Sequence, residues 1–435
     1  MIKKMRQSTW FVTILLVAAM FTALACSSSD LGNPASQVGD SVSATVAPTL
    51  TSGAAPPKEA TAGVPAEASA EAKPTVAKSN EVRDPRKPAQ GPQAAEVEGI
   101  AAWINSDPLT IEELEGKVVL LDFWTYTCIN CIRTFPYLKL WHSRYADDGL
   151  VILGVHTPEF EFEKDYDNVV QATRDNGIIW PVAQDNDYVT WKNYSNRYWP
   201  AKYLIDQDGV VRYTHFGEGG YSETEEQIRL LLAEAGANLS DDKLVLPTDQ
   251  EVDMTFLNTR NAQVTPELYA GRERNFSAAL YGRGAYVIQP EYFSRRDEVV
   301  TLKAPAELVL HKLYFNGPWS IMADSSRHAR KTSENEDYIA IKYSAKSVNA
   351  VLTAESNQSY RVLLTMNGQA LTEENKGRDV IIEDNGDSYI EVNVARLYQL
   401  VEHPQYVQGQ ELRMSSNSPD FGLSAFTFGV YKDGP

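Results

Sequence analysis

The stretch Lys117-Val-Val-Leu-Leu-Asp-Phe-Trp-Thr-Tyr-Thr-Cys-Ile-Asn-Cys131 decides which fold this chain adopts. Its apolar first half predicts a buried β-strand, and Cys128 and Cys131 stand where the following helix should begin. Two cysteines separated by two residues at such a junction can form a small redox-active disulfide. The first thiol would lie at the positive end of the helix dipole, which favours its thiolate form. The pattern therefore predicts thiol–disulfide chemistry at this pair.

The chain begins with a segment typical of an export signal. Basic residues precede an uncharged run from Trp10 to Ala25 that is apolar except for two threonines, which predicts a signal peptide over residues 1–25. The run ends in Ala-Leu-Ala-Cys26, and two interpretations remain open. A lipoprotein signal would be cleaved before Cys26, whose thiol would carry lipid, whereas an ordinary Ala-x-Ala secretory site fits the same residues. Lipid attachment is preferred because it explains a cysteine followed by a polar segment. Both interpretations place the folded part outside the cytoplasm.

The charge and the cysteine count limit the classes of function. A formal net charge of −18 over 435 residues argues against binding to nucleic acid. The chain has three cysteines, so if Cys26 is lipidated only Cys128 and Cys131 remain, and no structural disulfide framework is possible. The six histidines show no zinc-ligand spacing. We therefore predict neither a metal nor a cofactor.

The composition divides the chain into segments. Residues 26–95 are rich in Ala, Pro and Ser, which predicts a disordered tether behind the lipid-anchor cysteine. Residues 96–236 alternate strand and helix signals, as in an α/β domain with a partly parallel sheet. Residues 237–261 are predicted to form a connector. Residues 262–435 are predicted to form an all-β sandwich of jelly-roll kind, because β-rich runs recur between turns such as the Asn-Gly pair at 367–368.

The residues around the cysteine pair resemble the active-site segment of thioredoxins. Asp122-Phe-Trp124 and both cysteines occupy the same relative places, and Pro136 matches the proline that kinks the thioredoxin active-site helix. Trp199-Pro200 precedes a predicted hairpin, which is where the thioredoxin fold places its cis-proline. The resemblance implies an α/β thioredoxin-like fold for this domain.

The same resemblance assigns chemical roles. Cys128 would be the attacking thiolate and Cys131 the buried resolving thiol. Asp122, on the strand beneath, would accept the proton of Cys131, and burial should raise its pKa. Pro200 in cis would expose neighbouring backbone, so that a substrate segment could pair with it as a short strand.

Other residues near the pair have less definite predicted roles. Trp199 and Trp124 are expected to shape the substrate groove, with plain packing an equal alternative for Trp124. The Ile-Asn dipeptide between the cysteines differs from the Gly-Pro of thioredoxin, so the reduction potential does not carry over. His156, Thr157 and Glu159 follow a strand end; a solvated loop is predicted there, with a place in the lining of the groove as the alternative.

An insertion between Val155 and Trp199 narrows the resemblance. An extra helix is predicted over residues 163–176 and an extra strand over 179–183, as in exported oxidoreductases of the TlpA/ResA type and in peroxiredoxins. The cysteine segment and Gly154-Val-His-Thr-Pro-Glu159 are most similar to the exported part of DipZ proteins. There a β-sandwich resembling a carbohydrate-binding module follows the thioredoxin-like domain. The multi-helix membrane reductase of DipZ has no counterpart in this sequence, so we expect a separate membrane thiol reductant to supply electrons.

We therefore expect a membrane-tethered extracytoplasmic enzyme that reduces disulfides of exported proteins, the direction resting on the resemblance. A thiol peroxidase is one alternative, since Thr125 lies three residues before Cys128 as in peroxiredoxins, although Leu121 stands where their proline is usual. The other alternative is a non-catalytic lipoprotein whose β-sandwich binds a glycan or a protein. Its aromatic residues would form a sugar-stacking platform or, more often in such folds, the core. These are Tyr269, Tyr292, Tyr314, Trp319, Tyr398 and Tyr406.

Overall fold

A computed structural model of the chain describes residues 91–241, 243–247, 251–282, 284–294, 298–354 and 358–432. The predicted signal peptide, Cys26 and the tether up to residue 90 lie outside the described residues. In the part of the chain that is described, no helix is both long and apolar enough to cross a membrane. Gln93 forms a β-bridge with Val210, with Ala94 N donating to Gly209 O and Val211 N to Pro92 O, so the described structure begins slightly before the predicted boundary at residue 96.

The first domain is built on a six-stranded sheet with the order β1-β4-β3-β2-β5-β6. Strands β2, β3 and β4 run parallel, and the other three pair antiparallel to their neighbours. The strands are β1 (Ala102–Ile104), β2 (Val118–Trp124), β3 (Leu150–His156), β4 (Val182–Gln184), β5 (Ala201–Ile205) and β6 (Val211–Phe216).

Strand β2 is buried along its whole length because both faces of the sheet are covered. Its side chains alternate between two apolar clusters, with Leu120 and Trp124 on one face and Leu121 and Phe123 on the other. By the same alternation Asp122 belongs to the face of Leu120 and Trp124. That face packs against the helix that begins after Cys128, so the carboxyl group of Asp122 is directed toward that helix.

The helices of this domain are α1 (Ile129–Tyr145), α2 (Tyr166–Asp175), α3 (Val189–Asn193) and α4 (Tyr221–Glu234), with 3₁₀ turns at Glu112–Leu114 and Glu161–Lys164. The helix predicted over 163–176 is divided at Asp165, whose carboxylate accepts a hydrogen bond from Asn168 N at 3.1 Å and caps α2. The predicted strand over 179–183 begins only at Val182. Ile179 is exposed, and Pro181 has no N–H to donate to a neighbouring strand.

The second domain is an antiparallel β-structure of eleven strands, β7 to β17. The strands are β7 (Leu268–Tyr269), β8 (Val299–Leu302), β9 (Lys312–Ile321), β10 (Ser326–His328), β11 (Tyr338–Thr353), β12 (Tyr360–Met366), β13 (Gln369–Ala370), β14 (Ile381–Ile382), β15 (Ser388–Val392), β16 (Arg396–Ser415) and β17 (Gly422–Gly429). It also contains α5 (Met254–Asn258), α6 (Arg272–Leu280) and a 3₁₀ turn at Pro290–Phe293.

Strand β11 organises the second domain. One of its edges pairs with β9 through residues 338–342 and then with β17 through residues 347–353, while β16 follows its other edge. The Asn-Gly turn predicted at 367–368 joins β12 to β13, and both residues have the positive φ angles (51° and 79°) of a type I′ hairpin.

The described residues of the predicted connector contact both domains. Leu239, Leu244 and Leu246 pack against the cluster that contains α1. Val252 instead forms a β-bridge with Tyr431 at the end of the second domain. The first part of the connector therefore packs on the first domain, and Val252 pairs with the backbone of the second.

Candidate active site

The two cysteines occupy unequal positions at the start of α1. Cys128 is the N-cap residue, and its sulfur accepts a hydrogen bond from Cys131 N at 3.3 Å. Cys128 is partly exposed and Cys131 is fully buried, and both are free thiols. Burial raises the pKa of Cys131 well above its usual range, and the neighbouring Cys128 sulfur raises it further. The proton is therefore retained more firmly by the inner thiol than by an ordinary cysteine.

A buried carboxylate and a buried lysine lie beneath the pair. Asp122 and Lys202 are each 1% exposed, and Lys202 Nζ lies 3.5 Å from Asp122 Oδ1. The two residues face each other across β2 and β5. Burial raises the pKa of Asp122, and the Lys202 charge partly offsets that rise. The Asp122 charge in turn adds to the raised pKa of Cys131.

Lys202 was not identified from the sequence. It lies two residues after Pro200 in the otherwise apolar strand Ala-Lys-Tyr-Leu-Ile, and that single charge was the available signal. Neither Asp122 Oδ1 nor Lys202 Nζ has a hydrogen-bond partner among the described residues, so the 3.5 Å ion pair is what stabilises the buried charge of each.

The Trp199–Pro200 peptide bond is cis, and Pro200 immediately precedes β5. Ala201 pairs with Phe123, so Pro200 lies at the end of the sheet from which the chain continues to Cys128. Trp199 is half-buried; its Nε1 donates to Thr157 O at 3.1 Å and its ring packs on Trp191.

Trp124 does not line the groove. It is 1% exposed and lies edge-on between Phe135 and His156, with ring centroids 5.4 and 5.0 Å away. The packing alternative is therefore correct for Trp124, which supports the site from inside the core.

The predicted solvated loop at 156–159 is wrong, because His156 and Thr157 are completely buried. His156 Nε2 lies 3.3 Å from the hydroxyl of Thr125, and burial lowers the pKa of His156 to about 3. The imidazole is therefore neutral at physiological pH and acts as a packing and hydrogen-bonding group.

Glu163 holds the loop that leads into Cys128. One carboxylate oxygen accepts hydrogen bonds from the hydroxyl and the N–H of Thr127 at 2.6 and 3.3 Å. The other accepts from the N–H groups of Glu159 and Phe160 at 2.5 and 2.9 Å. Glu163 is fully buried, and the sequence pattern indicated only a place in a helix for it. It fixes Thr127, the residue before the outer cysteine, to the loop after β3.

We expect Glu163→Gln to lower the free energy of unfolding by about 2–4 kcal/mol, because the new NH₂ group faces two N–H or O–H donors. Burial raises the pKa of Glu163 to about 7. A raised carboxyl pKa gives stability that is present in acid and is lost as pH rises through the folded-state pKa. Denaturant unfolding should therefore show that the native chain loses free energy of unfolding between about pH 5 and about pH 8. The loss should be smaller in Glu163→Gln.

The matched control is Glu161→Gln, in the same 3₁₀ turn, where the carboxylate is exposed and pairs with Lys164. This control should change stability by less than about 0.5 kcal/mol. Equal effects of the two substitutions would contradict the assigned role of Glu163.

The second domain borders the site directly. Tyr126 donates its hydroxyl to Ala395 O at 3.3 Å. Ile129, between the cysteines, is 2% exposed and belongs to an apolar cluster with Val351 and Leu397 of the second domain. The guanidinium of Arg133 lies 4.6 Å from the ring centre of Tyr431. Residues on both sides of Cys128 are therefore covered by the β-domain.

The aromatic residues considered for a sugar platform form the core of the β-domain instead. Each is at most 9% exposed, so none presents an open ring face. They are Tyr269, Tyr292, Tyr314, Trp319, Tyr398 and Tyr406. Across the described ranges, no group of three or more His, Cys, Asp or Glu side chains could hold a metal ion.

Two family models match the chain. Residues 93–214 match the model described as AhpC/TSA family, and residues 265–429 match the one described as thioredoxin like C-terminal domain. The two matches correspond to the six-stranded domain and to the β-domain, respectively.

Comparison with known proteins gives relatives for both parts. Protein DipZ of Mycobacterium bovis is 38% identical over 264 residues, which cover 60% of this chain and 35% of DipZ. The chain thus spans about a third of the length of the DipZ relatives it matches. The thiol-disulfide oxidoreductase YkuV of Bacillus subtilis is 30% identical over 140 residues, which cover 32% of this chain and 93% of YkuV. A solved thiol-disulfide isomerase from Corynebacterium glutamicum is 23% identical, with a TM-score of 0.30. The match covers 32% of this chain and 97% of the isomerase chain.

Proposed function

Because the chain belongs to the family of thioredoxin-like thiol–disulfide oxidoreductases, we propose that it is a membrane-tethered, extracytoplasmic reductase of protein disulfides. The observation that carries this proposal is the unequal placement of the two thiols. Cys128 caps α1 and is partly open to a substrate, whereas Cys131 is sealed in the core. An accessible attacking thiol beside a buried resolving thiol is what dithiol exchange requires.

The reaction proceeds through a mixed disulfide. The Cys128 thiolate attacks one sulfur of the substrate disulfide, and the other substrate sulfur leaves as a thiolate that is protonated by solvent. Cys131 then gives its proton to Asp122 and attacks the Cys128 sulfur, which releases the second substrate thiolate. The substrate gains two electrons, and the enzyme is left with a Cys128–Cys131 disulfide.

Asp122 is the proton acceptor of the second step. Its carboxyl lies on the sheet face that packs against α1, and burial raises its pKa toward the range in which a carboxyl exchanges protons with a thiol. Lys202 positions this carboxylate and supplies the only opposite charge that the described residues place against it.

The groove for the substrate lies beside Pro200 and Trp199. Pro200 lies at the sheet end from which the chain continues to Cys128, but it is buried and its carbonyl accepts from Gly217 N, so we assign the backbone that pairs with a substrate segment to the neighbouring Trp199. Trp199 forms the adjoining surface, since it is half-buried and anchored to Thr157 O.

The location and the electron supply are proposed from the sequence. Residues 1–25 export the chain, Cys26 carries lipid, and residues 26–95 tether the domains at 96–236 and 262–435 to the outer face of the cytoplasmic membrane. The oxidised pair then needs a dithiol donor, which we assign to a separate membrane thiol reductant. The substrates are disulfides of exported proteins.

The β-domain is proposed to be a jelly-roll sandwich related to carbohydrate-binding modules. Support comes from β11, whose single edge is shared in succession by β9 and β17, as expected where one sheet divides into two layers. The six aromatic residues considered for a sugar platform are buried, so they do not support a glycan as the ligand of this domain.

The reduction potential of the Cys128/Cys131 pair in the full-length chain tests the direction of exchange. Equilibration in defined dithiol buffers, with the thiols counted by alkylation, should give a value near the roughly −270 mV of thioredoxin. A value near roughly −120 mV, as in DsbA, would make the protein a disulfide donor and would overturn the reductase assignment. Rapid consumption of hydrogen peroxide with a sulfenic acid on Cys128 would favour the peroxidase alternative.

A further inference from the structure

The β-domain receives the residue between the two cysteines. Ile129 is 2% exposed and belongs to one cluster with Val351, Leu397 and Ala425. Val351 pairs with Leu397 on one side and with Ala425 on the other, so these three residues form a continuous apolar spot across β16, β11 and β17. An isoleucine at this place in the dipeptide serves as a docking residue between the domains, a role that glycine could not fill.

Polar contacts surround this apolar spot. Glu159 pairs with Arg274 at 2.6 Å and accepts from the Tyr269 hydroxyl at 3.0 Å. Glu161 N donates to the carboxylate of Asp324 at 3.0 Å. An apolar centre with a polar rim is the composition of a specific protein interface. The β-domain is therefore held against the face of the thioredoxin-like domain that carries the attacking thiol.

An exposed aromatic pair lies next to the cis-proline. Tyr198 is 40% exposed and Phe216 47% exposed, and their rings pack 5.4 Å apart. Phe216 pairs with Ala201, and Gly217 N donates to Pro200 O at 2.8 Å. The aromatic pair therefore flanks the cis-proline. Phe216 shares the sheet face of Ala201 and Tyr203, which is the face away from α1, so the approach to Cys128 is marked by the partly exposed thiol itself and by the half-buried Trp199.

We propose, building on the proposed reductase function, that the β-domain walls off the Ile129 side of Cys128 and thereby selects disulfides on extended or flexible polypeptide segments. Such a segment enters beside Trp199, next to the partly exposed Cys128. A folded partner needs roughly 800 Å² of continuous surface on each side, and the β-domain occupies the part of that surface next to Ile129. Disulfides on folded protein surfaces are excluded by this steric conflict.

The test compares three substrates with the full-length chain: a small aromatic disulfide, an unstructured peptide with one internal disulfide, and a folded protein with a solvent-exposed disulfide. We expect kcat/KM for the peptide to exceed that for the folded protein by about tenfold or more. Arg274→Glu places a carboxylate against Glu159, and Leu397→Glu places one against Ile129. Both substitutions should open the interface and reduce the ratio of kcat/KM for the peptide to kcat/KM for the folded protein to less than about threefold. The rate with the small aromatic disulfide should change by less than about twofold.

Matched controls separate this effect from general damage. Val309→Glu introduces the same charge at an exposed site of the β-domain and should keep the native ratio. Arg274→Glu combined with Glu159→Arg restores opposite charges and should restore selectivity. Hydrogen exchange of the segment around Ile129 reports whether the interface has opened.

Two outcomes have different meanings. If exchange shows an opened interface while the ratio stays at its native value, or if the native chain reduces the peptide and the folded protein equally well, the selection proposal is overturned. If the native chain reduces none of the three substrates, the proposed reductase function itself fails.

Discussion

Replacing Cys128 with serine in the full-length chain should lower the rate of disulfide reduction by at least ~10³-fold, because the thiolate that forms the mixed disulfide is lost. The serine hydroxyl can still cap α1 by accepting from the N–H of residue 131, as the sulfur does now at 3.3 Å. The fold should therefore persist while the chemistry disappears. The loss is measured as turnover of a small disulfide at saturating dithiol donor.

Cys131→Ser is the companion variant. It keeps the attacking thiol but removes the resolving one, so the first step should proceed and stop at a covalent adduct on Cys128. Non-reducing electrophoresis and mass spectrometry should show one substrate chain attached per enzyme, released by added dithiol. Undiminished turnover by Cys128→Ser, or the absence of an adduct with Cys131→Ser, would contradict the two-cysteine mechanism.

Replacing Lys202 with methionine should lower the free energy of unfolding by about 3–5 kcal/mol, because the Asp122 carboxylate would then be buried without its partner. Lys202 now offsets part of the rise in the pKa of Asp122, so the pKa should rise further in the variant. A raised carboxyl pKa costs stability as pH increases through it. The loss of unfolding free energy in Lys202→Met should therefore be largest in alkaline solution and smaller in acid. Urea unfolding measured at several pH values checks this expectation.

The double variant Asp122→Leu with Lys202→Met distinguishes stability from chemistry. It replaces the buried ion pair by apolar side chains of similar size and should regain most of the lost stability. It should not regain activity, because Cys131 would lack its proton acceptor, and resolution of the mixed disulfide should remain slower by about 10–100-fold. Recovery of both stability and resolution rate would show that Asp122 has no part in the proton transfer.

The parts of this site that are local in sequence were predictable. Cys128, Cys131 and Asp122 lie within ten residues, and the strand that ends at Trp124 and the helix that follows are encoded by one continuous pattern. Pro200 is distant in sequence, but its dipeptide with Trp199 and the hairpin after it are recognisable. These features determine the thioredoxin-like fold.

The parts that depend on neighbours from other elements were not predictable. Lys202 reaches Asp122 only because β5 pairs with β2 in one register, and a shift of one residue would turn it to the other face. Glu163 lies in what looked like a regular helix, and its role follows from the break at Asp165. The burial of Ile129 by Val351 and Leu397 requires the docking of two domains, and no periodicity in the sequence encodes that contact.

The divided connector has a consequence for exchanging modules between relatives of this protein. A cut at residue 236 would remove Leu239, Leu244 and Leu246 from the core on which they pack and would leave apolar surface open to water. A cut at residue 261 would separate Val252 from Tyr431, whose ring lies against the guanidinium of Arg133. A module boundary between residues 247 and 251 keeps the leucine contacts with the first domain and the pairing of Val252 with Tyr431. A chimaera joined there would keep each module's own residues and would change only the surface that the modules share.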